Sequence, residues 1–189
     1  MPEIKELEGA KPLTEQQIIN ILARVYFNPY QSIVVPNCYL PGWEADLLVM
    51  RRSGWLDEIE VKVTKADFRR DLTGKGDKHE RLTKGIPARL PWNPAARCYP
   101  LDWSDTKPTI VRRFFYAMPH ALAEEVIADI PQHAGLISVS EGKYSGRVII
   151  LRGAPVLKPA RKLTDGEQIA LLKSAYSRYW GFRFERATA

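Results

Sequence analysis

Two short stretches, each alternating in chemistry from residue to residue, constrain this chain more than any other feature. Residues 44–50 read Glu-Ala-Asp-Leu-Leu-Val-Met, and residues 56–63 read Leu-Asp-Glu-Ile-Glu-Val-Lys-Val, with Ser53-Gly54 between them. Successive side chains of a strand point to opposite faces. Taken as a hairpin, the two stretches place Glu44 and Asp46 on one face with Glu58, Glu60 and Lys62. Ala45, Leu47, Val49, Ile59, Val61 and Val63 take the other face, which suits a core.

Turn chemistry decides whether the charged rows meet. A three-residue loop, Arg52-Ser53-Gly54, needs a left-handed residue in third place, and glycine accepts that conformation freely. This loop pairs Arg51 with Trp55, and counting outward pairs Asp46 with Glu60 and Glu44 with Lys62. A two-residue loop would pair Asp46 with Val61 and bury one charged row unpaired, which is far costlier.

Opposed side chains start about 4.5–5.5 Å apart at their β-carbons, so two facing carboxylates repel unless positive charge lies between them. A hard divalent cation, Mg²⁺ or Mn²⁺, suits such a gap and keeps several of its waters. It makes a bound water more acidic and neutralises charge on a reacting phosphate. Lys62 adds a fixed positive charge for the phosphorus or its leaving oxygen. The carbonyl of Val61 offers a further oxygen ligand. Two alternatives stand beside this reading. Glu44 and Lys62 would form an ordinary cross-strand ion pair, worth at most about 1 kcal/mol if exposed. Or the acids pair with basic groups from elsewhere in the chain and form a structural ion network.

Around the hairpin the chain alternates helices and strands. Thr14 and Gln17 have capping-box spacing, and Ile18, Ile21, Leu22 and Val25 follow at helical period, which predicts a helix over 14–27, stopped by Asn28-Pro29. Ser32–Val35 reads as a strand and Pro41-Gly42 as a turn. Residues 66–72 and 77–84 read as helices interrupted at Gly74-Lys75-Gly76. Residues 85–110 hold five prolines and two tryptophans with neither period, which predicts an ordered insertion anchored by Trp92 and Trp103. Strands are expected at 114–118, 135–139 and 148–151, with a helix near 121–128. Thr164 and Glu167 form a second capping box, opening a helix to about Trp180 whose Tyr176, Tyr179 and Trp180 are read as core.

The order helix–strand–strand–strand–helix–strand, with Asp46, thirteen intervening residues and then Glu60-Val61-Lys62, resembles the PD-(D/E)XK nuclease superfamily. Residues 60–71, Glu-Val-Lys-Val-Thr-Lys-Ala-Asp-Phe-Arg-Arg-Asp, are similar to its MmcB-like DNA repair group, as are Arg113–Met118, Ala134–Ile137 and Arg152–Pro155. The likeness covers about residues 14–160, and the 85–110 insertion departs from it. It implies a single α/β (α+β) domain with a restriction-endonuclease-like core: a central mixed sheet flanked by helices, with extra C-terminal strands and a helix. It also implies a metal-dependent deoxyribonuclease active in repair, recombination or processing, with Asp46 and Glu60 as metal ligands and Lys62 as the catalytic lysine. Ala45 stands where the family has proline. The third acid would be Glu44 or Glu15. The alternative function is a nuclease-fold protein that binds DNA without cutting it.

Charge distribution agrees with a polyanionic partner. The 189 residues carry a formal charge of +6, and residues 143–189 hold ten Lys or Arg against three acids. Lys65, Arg69, Arg70, Lys75, Lys78 and His79 follow the active strand and are expected to meet phosphates. The three histidines, His79, His120 and His133, read as scattered. DNA is the expected partner, with no membrane association and a homodimer admissible. No apolar run approaches the roughly 20 residues of a membrane span. The first twelve residues lack signal-peptide order, and Cys38 and Cys98 have neither metal nor disulfide spacing. A cytoplasmic, reducing setting is expected.

Overall fold

A computed structural model describes residues 12–187 apart from Pro29, Pro41 and residues 143–145, and among helical residues it does not describe the side chains of 182, 183 and 185–187. The expectations placed on Pro29, Pro41 and the first eleven residues lie outside the described part. Among the described residues eight strands form: β1 (Ser32–Cys38), β2 (Ala45–Arg51), β3 (Leu56–Val61), β4 (Ile86–Arg89), β5 (Leu101–Lys107), β6 (Val111–Pro119), β7 (Ala134–Ser140) and β8 (Arg147–Arg152). Five α-helices accompany them: α1 (Glu15–Ile21), α2 (Lys65–Gly74), α3 (Gly76–Lys84), α4 (His120–Val126) and α5 (Asp165–Ala187).

Six strands build one mixed sheet in the order β1-β2-β3-β6-β7-β8. β3 is antiparallel to β2 and parallel to β6, and β6 is parallel to β7. The parallel neighbours need crossover connections, which the α2–α3 segment and α4 supply. The strands buried on both faces are nearly continuous apolar runs, as two-sided burial requires. β3 is buried along its whole length, and its Asp57, Glu58 and Glu60 are buried with it.

Two cores lie on opposite faces of the sheet. Ile18, Ile19 and Leu22 of the first helical segment pack with Leu47, Val49, Ile59 and Val61. On the other face, Leu48, Met50 and Leu56 pack with Phe68 of α2, Leu82 of α3, Ala123 of α4 and Leu171 of α5. The face that gathers the charged row also carries Leu48 and Met50, and helices roof it. Gly135 marks how closely the layers meet. A β-carbon there would stand 2.5 Å from the Phe115 ring and 2.7 Å from the Ala154 amide nitrogen. Gly135→Ala is expected to lower stability by about 1–3 kcal/mol through overpacking, read from the urea midpoint.

Local signals were kept wherever they acted over a few residues. Both capping boxes form, Thr14 with Gln17 and Thr164 with Glu167. The first helix changes at Leu22 into a wider π-turn, Leu22–Tyr26, which adds a residue per turn and rotates Val25 into solvent. The 85–110 insertion contains the separate β4–β5 ribbon, with Lys84 over the Trp103 ring. Trp92 does not anchor the insertion to the core: it is half exposed and packs edge-on against Tyr99. α5 runs seven residues past the expected end, and its Tyr176, Tyr179 and Trp180 are exposed rather than core. Leu171 and Ala175 dock the helix instead, because they lie on the side that meets β1. Cys38 is buried and Cys98 exposed, and both are free thiols. Among the described residues, no helix is long and apolar enough to cross a membrane.

Candidate active site

The hairpin register follows from Gly54. Its φ is +80°, its amide donates to the Arg51 carbonyl at 2.9 Å, and the Arg51 amide donates to the Trp55 carbonyl at 2.8 Å. The ladder pairs Met50 with Leu56, Leu48 with Glu58 and Leu47 with Ile59. Extended by one residue, that register sets Asp46 opposite Glu60. At this point the Val61 amide donates to Asp46 Oδ2 at 2.7 Å. The three-residue loop and the expected facing of the two acids are thus what the fold contains.

Glu60 is the hub of the buried charges. Its Oε1 accepts from Lys62 Nζ at 2.8 Å and Lys75 Nζ at 2.6 Å, and its Oε2 accepts from Lys78 Nζ at 2.6 Å. Lys78 also reaches Glu58 Oε1 at 2.7 Å, and Glu58 accepts from the Trp43 indole N–H at 2.9 and 3.1 Å. Asp71 of α2 lies 3.0 Å from Lys75 and 3.4 Å from Lys62, and accepts from the Tyr116 hydroxyl at 2.7 Å. Behind Tyr116, His79 Nε2 is 3.2 Å from the hydroxyl, and His79 Nδ1 is 3.0 Å from His133 Nε2. Three carboxylates and three ammonium groups thus interlock in the site. Buried charges persist only when paired and hydrogen-bonded in this way.

Protonation follows from the geometry. Burial pushes the Glu60 carboxyl up, but the Lys78 and Lys62 ammonium groups outweigh burial and hold it below the usual range. Burial works against charge on Lys62 and Lys78, and the facing carboxylates overcome it and keep both protonated. Burial, followed by the His79 ring, pushes His133 down to about 4. Asp46 is the exception. Burial first and Glu60 second push its carboxyl up to about 7, and neither the Val61 amide nor Lys62 offsets them. Glu15, at the exposed start of α1, adds a smaller push in the same direction.

Several expected roles change. Glu44 does not face Lys62: it precedes β2 in an exposed bend after Gly42 (φ +97°), while Lys62 turns to Glu60 and Asp71. Lys78 and His79 point inward and are not surface contacts, because α3 lays them over the sheet against Glu60 and Tyr116. Lys65 is paired with Glu125 and Arg70 with Asp67; Arg69 is exposed. Lys75 is 46% exposed at its side chain yet reaches Glu60. His79 and His133, read as scattered, meet. Asp71 and Tyr116 were missed. The four-residue spacing of Asp67, Asp71 and Lys75, one helix face, was the signal available for Asp71.

Asp46, Glu60 and the Val61 carbonyl are the groups that could hold a divalent cation. Among the described residues no group of three or more His, Cys, Asp and Glu is placed to hold a metal. Glu60 Oε1 already carries two ammonium groups. Yet Asp46 and Glu60 repel across the hairpin, and the second of the two ammonium groups on Oε1 belongs to the half-exposed Lys75.

Comparison with known proteins adds the fold alone. No family model matches the chain, and no curated protein does. A solved structure described as a protein of unknown function from Silicibacter pomeroyi is similar, with a TM-score of 0.54 over 95% of this chain and 93% of that one. At 18% identity, the likeness extends to the mixed α/β architecture and no further.

Proposed function

We propose that the chain is a Mg²⁺- or Mn²⁺-dependent nuclease that hydrolyses DNA phosphodiester bonds on a restriction-endonuclease-like core. The observation that carries this reading is the Asp46–Glu60 pair. A carboxylate held against a like charge, with its acidity displaced to about 7, is kept at a cost to the fold. Perturbed groups of that kind concentrate at reactive sites. The PD-(D/E)XK likeness in the sequence adds the chemistry.

In this reading Asp46, Glu60 and the Val61 carbonyl would hold the cation. The cation, when bound, neutralises phosphate charge and supplies an acidified water. Lys62 presents a permanent positive charge to the reacting phosphate, and Asp71 and Tyr116 hold it in place. Lys75 exchanges Glu60 for a phosphate oxygen as substrate arrives. Exposed Arg69 and Arg70 on α2 contribute to backbone binding and its salt dependence.

One observation favours a second reading, a nuclease-fold protein that binds DNA without cutting. Three ammonium groups already neutralise Glu60 with no metal. Incubation with linear, nicked, single-stranded and branched DNA plus Mg²⁺ or Mn²⁺ separates the two. Metal-dependent cleavage is expected, lowered by about 10²–10³-fold in Lys62→Ala and lost in Asp46→Ala. Cleavage that survives Asp46→Ala sinks the site, and DNA binding without cleavage under either metal selects the second reading.

A further inference from the structure

Beside the acid centre lies an open cleft of about 480 Å³. One wall is the Trp43-Glu44 bend that leads into β2; the other is the α2–α3 junction with Gly74, Lys75, Asp77 and Arg81. Lys75 and Lys78 close its inner end, and their ammonium groups sit on Glu60 and Glu58. The cleft therefore meets the proposed reaction centre, with two lysines between them.

The lining is specific in its chemistry. Both oxygens of buried Glu58 hold the Trp43 indole by its N–H edge, which fixes the ring as a flat wall. Arg81, on the cleft wall, pairs with Asp77 through one terminal nitrogen of its guanidinium. Glu44 is exposed and forms no ion pair among the described residues, leaving a carboxylate acceptor at the rim. A β-carbon on Gly74 would meet nothing within 4 Å, so the cleft is unobstructed there. A flat aromatic wall, carboxylate acceptors and a guanidinium donor suit a planar heterocycle carrying both donors and acceptors. A phosphate alone would pair with Lys75 but gain nothing from the indole wall.

We infer that the cleft takes the unstacked base of a nucleotide next to the bond being cut, so the substrate is single-stranded DNA. This rests on the nuclease reading for the bond, and on the cleft for the base. A base stacked in a duplex is not free to enter. A free base can lie against Trp43 with its phosphate at Lys75, and stacking of this kind is worth about 5- to 150-fold in affinity per base.

The test is fluorescence anisotropy of a dye-labelled 20-nucleotide strand, alone and as a duplex, in EDTA so that nothing is cut. The wild-type chain is expected to bind the single strand at least about fivefold more tightly than the duplex. Gly74→Leu places an apolar side chain in the cleft at the C-terminal end of α2 and removes no charged group. It is expected to bring single-strand affinity down to the duplex value, with melting curves confirming that it folds. Arg81→Ala, which removes a donor and fills nothing, is the second variant, expected to weaken single-strand binding by about three- to tenfold. Equal wild-type affinity for the two forms overturns the inference, as does a preference that survives both variants. The metal-free readout keeps the failures apart. Cleavage without strand preference sinks the cleft alone; a preference lost in Gly74→Leu without cleavage under any metal sinks the nuclease reading alone.

Discussion

Asp46→Asn is expected to make the protein more stable at pH 8 while abolishing metal-dependent cleavage. The Asp46 carboxyl titrates near 7 in the fold against an ordinary 3.8. Between those values the folded chain holds a proton that the unfolded chain has lost, so stability falls as pH rises from about 4 to 7 and then levels off. Each tenfold change in acidity between the folded and unfolded chain is worth about 1.36 kcal/mol. With partial solvent access discounted, the asparagine variant should gain about 2–4 kcal/mol above pH 7, or about 5–15 °C in melting temperature for a chain of this length. The gain should shrink to nothing below about pH 4. Asparagine keeps the acceptor for the Val61 amide and removes only the charge that Glu60 opposes. Mg²⁺ should stabilise the wild-type chain and not the variant, since a ligand stabilises only the state that binds it. Differential scanning fluorimetry from pH 4 to 9 reads all of this. A variant that melts below wild type at pH 8 would show that the carboxylate is structurally paired, and would remove the main support for a reaction centre.

Glu60→Ala should act in the opposite direction, although Glu60 faces Asp46. It strips the shared counter-charge from Lys62, Lys75 and Lys78, two of which are buried. Breaking a buried ion pair from one side costs about 3–5 kcal/mol, because the remaining charge stays desolvated. Lys78 keeps Glu58 and Lys62 keeps Asp71, so the fold should survive with a urea midpoint shifted strongly down. Lys75→Ala is the internal comparison: it removes a half-exposed ammonium while Lys62 and Lys78 still neutralise Glu60, and the loss should stay within about 1 kcal/mol. Should Glu60→Ala cost no more than Lys75→Ala, the three ammonium groups are not held by Glu60 in solution. Taken together, two facing acids with stability effects of opposite sign would separate a charge kept for chemistry from one kept for architecture.

The hairpin was legible in the sequence because everything that fixes it is local. Period-two alternation sorts the faces, Gly54 accepts the left-handed turn position, and a slip by one residue would bury a charged row. The same holds for the caps at Thr14 and Thr164, which involve residues three apart. Asp46 facing Glu60 is therefore a property of residues 46–60 alone.

What surrounds that pair was decided only when α2 and α3 folded over β3. Nothing in the spacing of Lys75 or Lys78 says that both reach back to Glu60, and nothing near Tyr116 ties it to Asp71, 45 residues earlier. Those contacts depend on helix placement across the sheet, a long-range choice set by Phe68 and Leu82 packing against Leu48 and Leu56. α5 makes the same point from outside the site. Its apolar residues fill more than one face, and only docking on β1 chose Leu171 and Ala175 over Tyr176 and Tyr179. Local pattern thus determined which two acids confront each other. Tertiary packing decided which cations answer them, because burial turns whichever charge lies nearby into an obligatory partner.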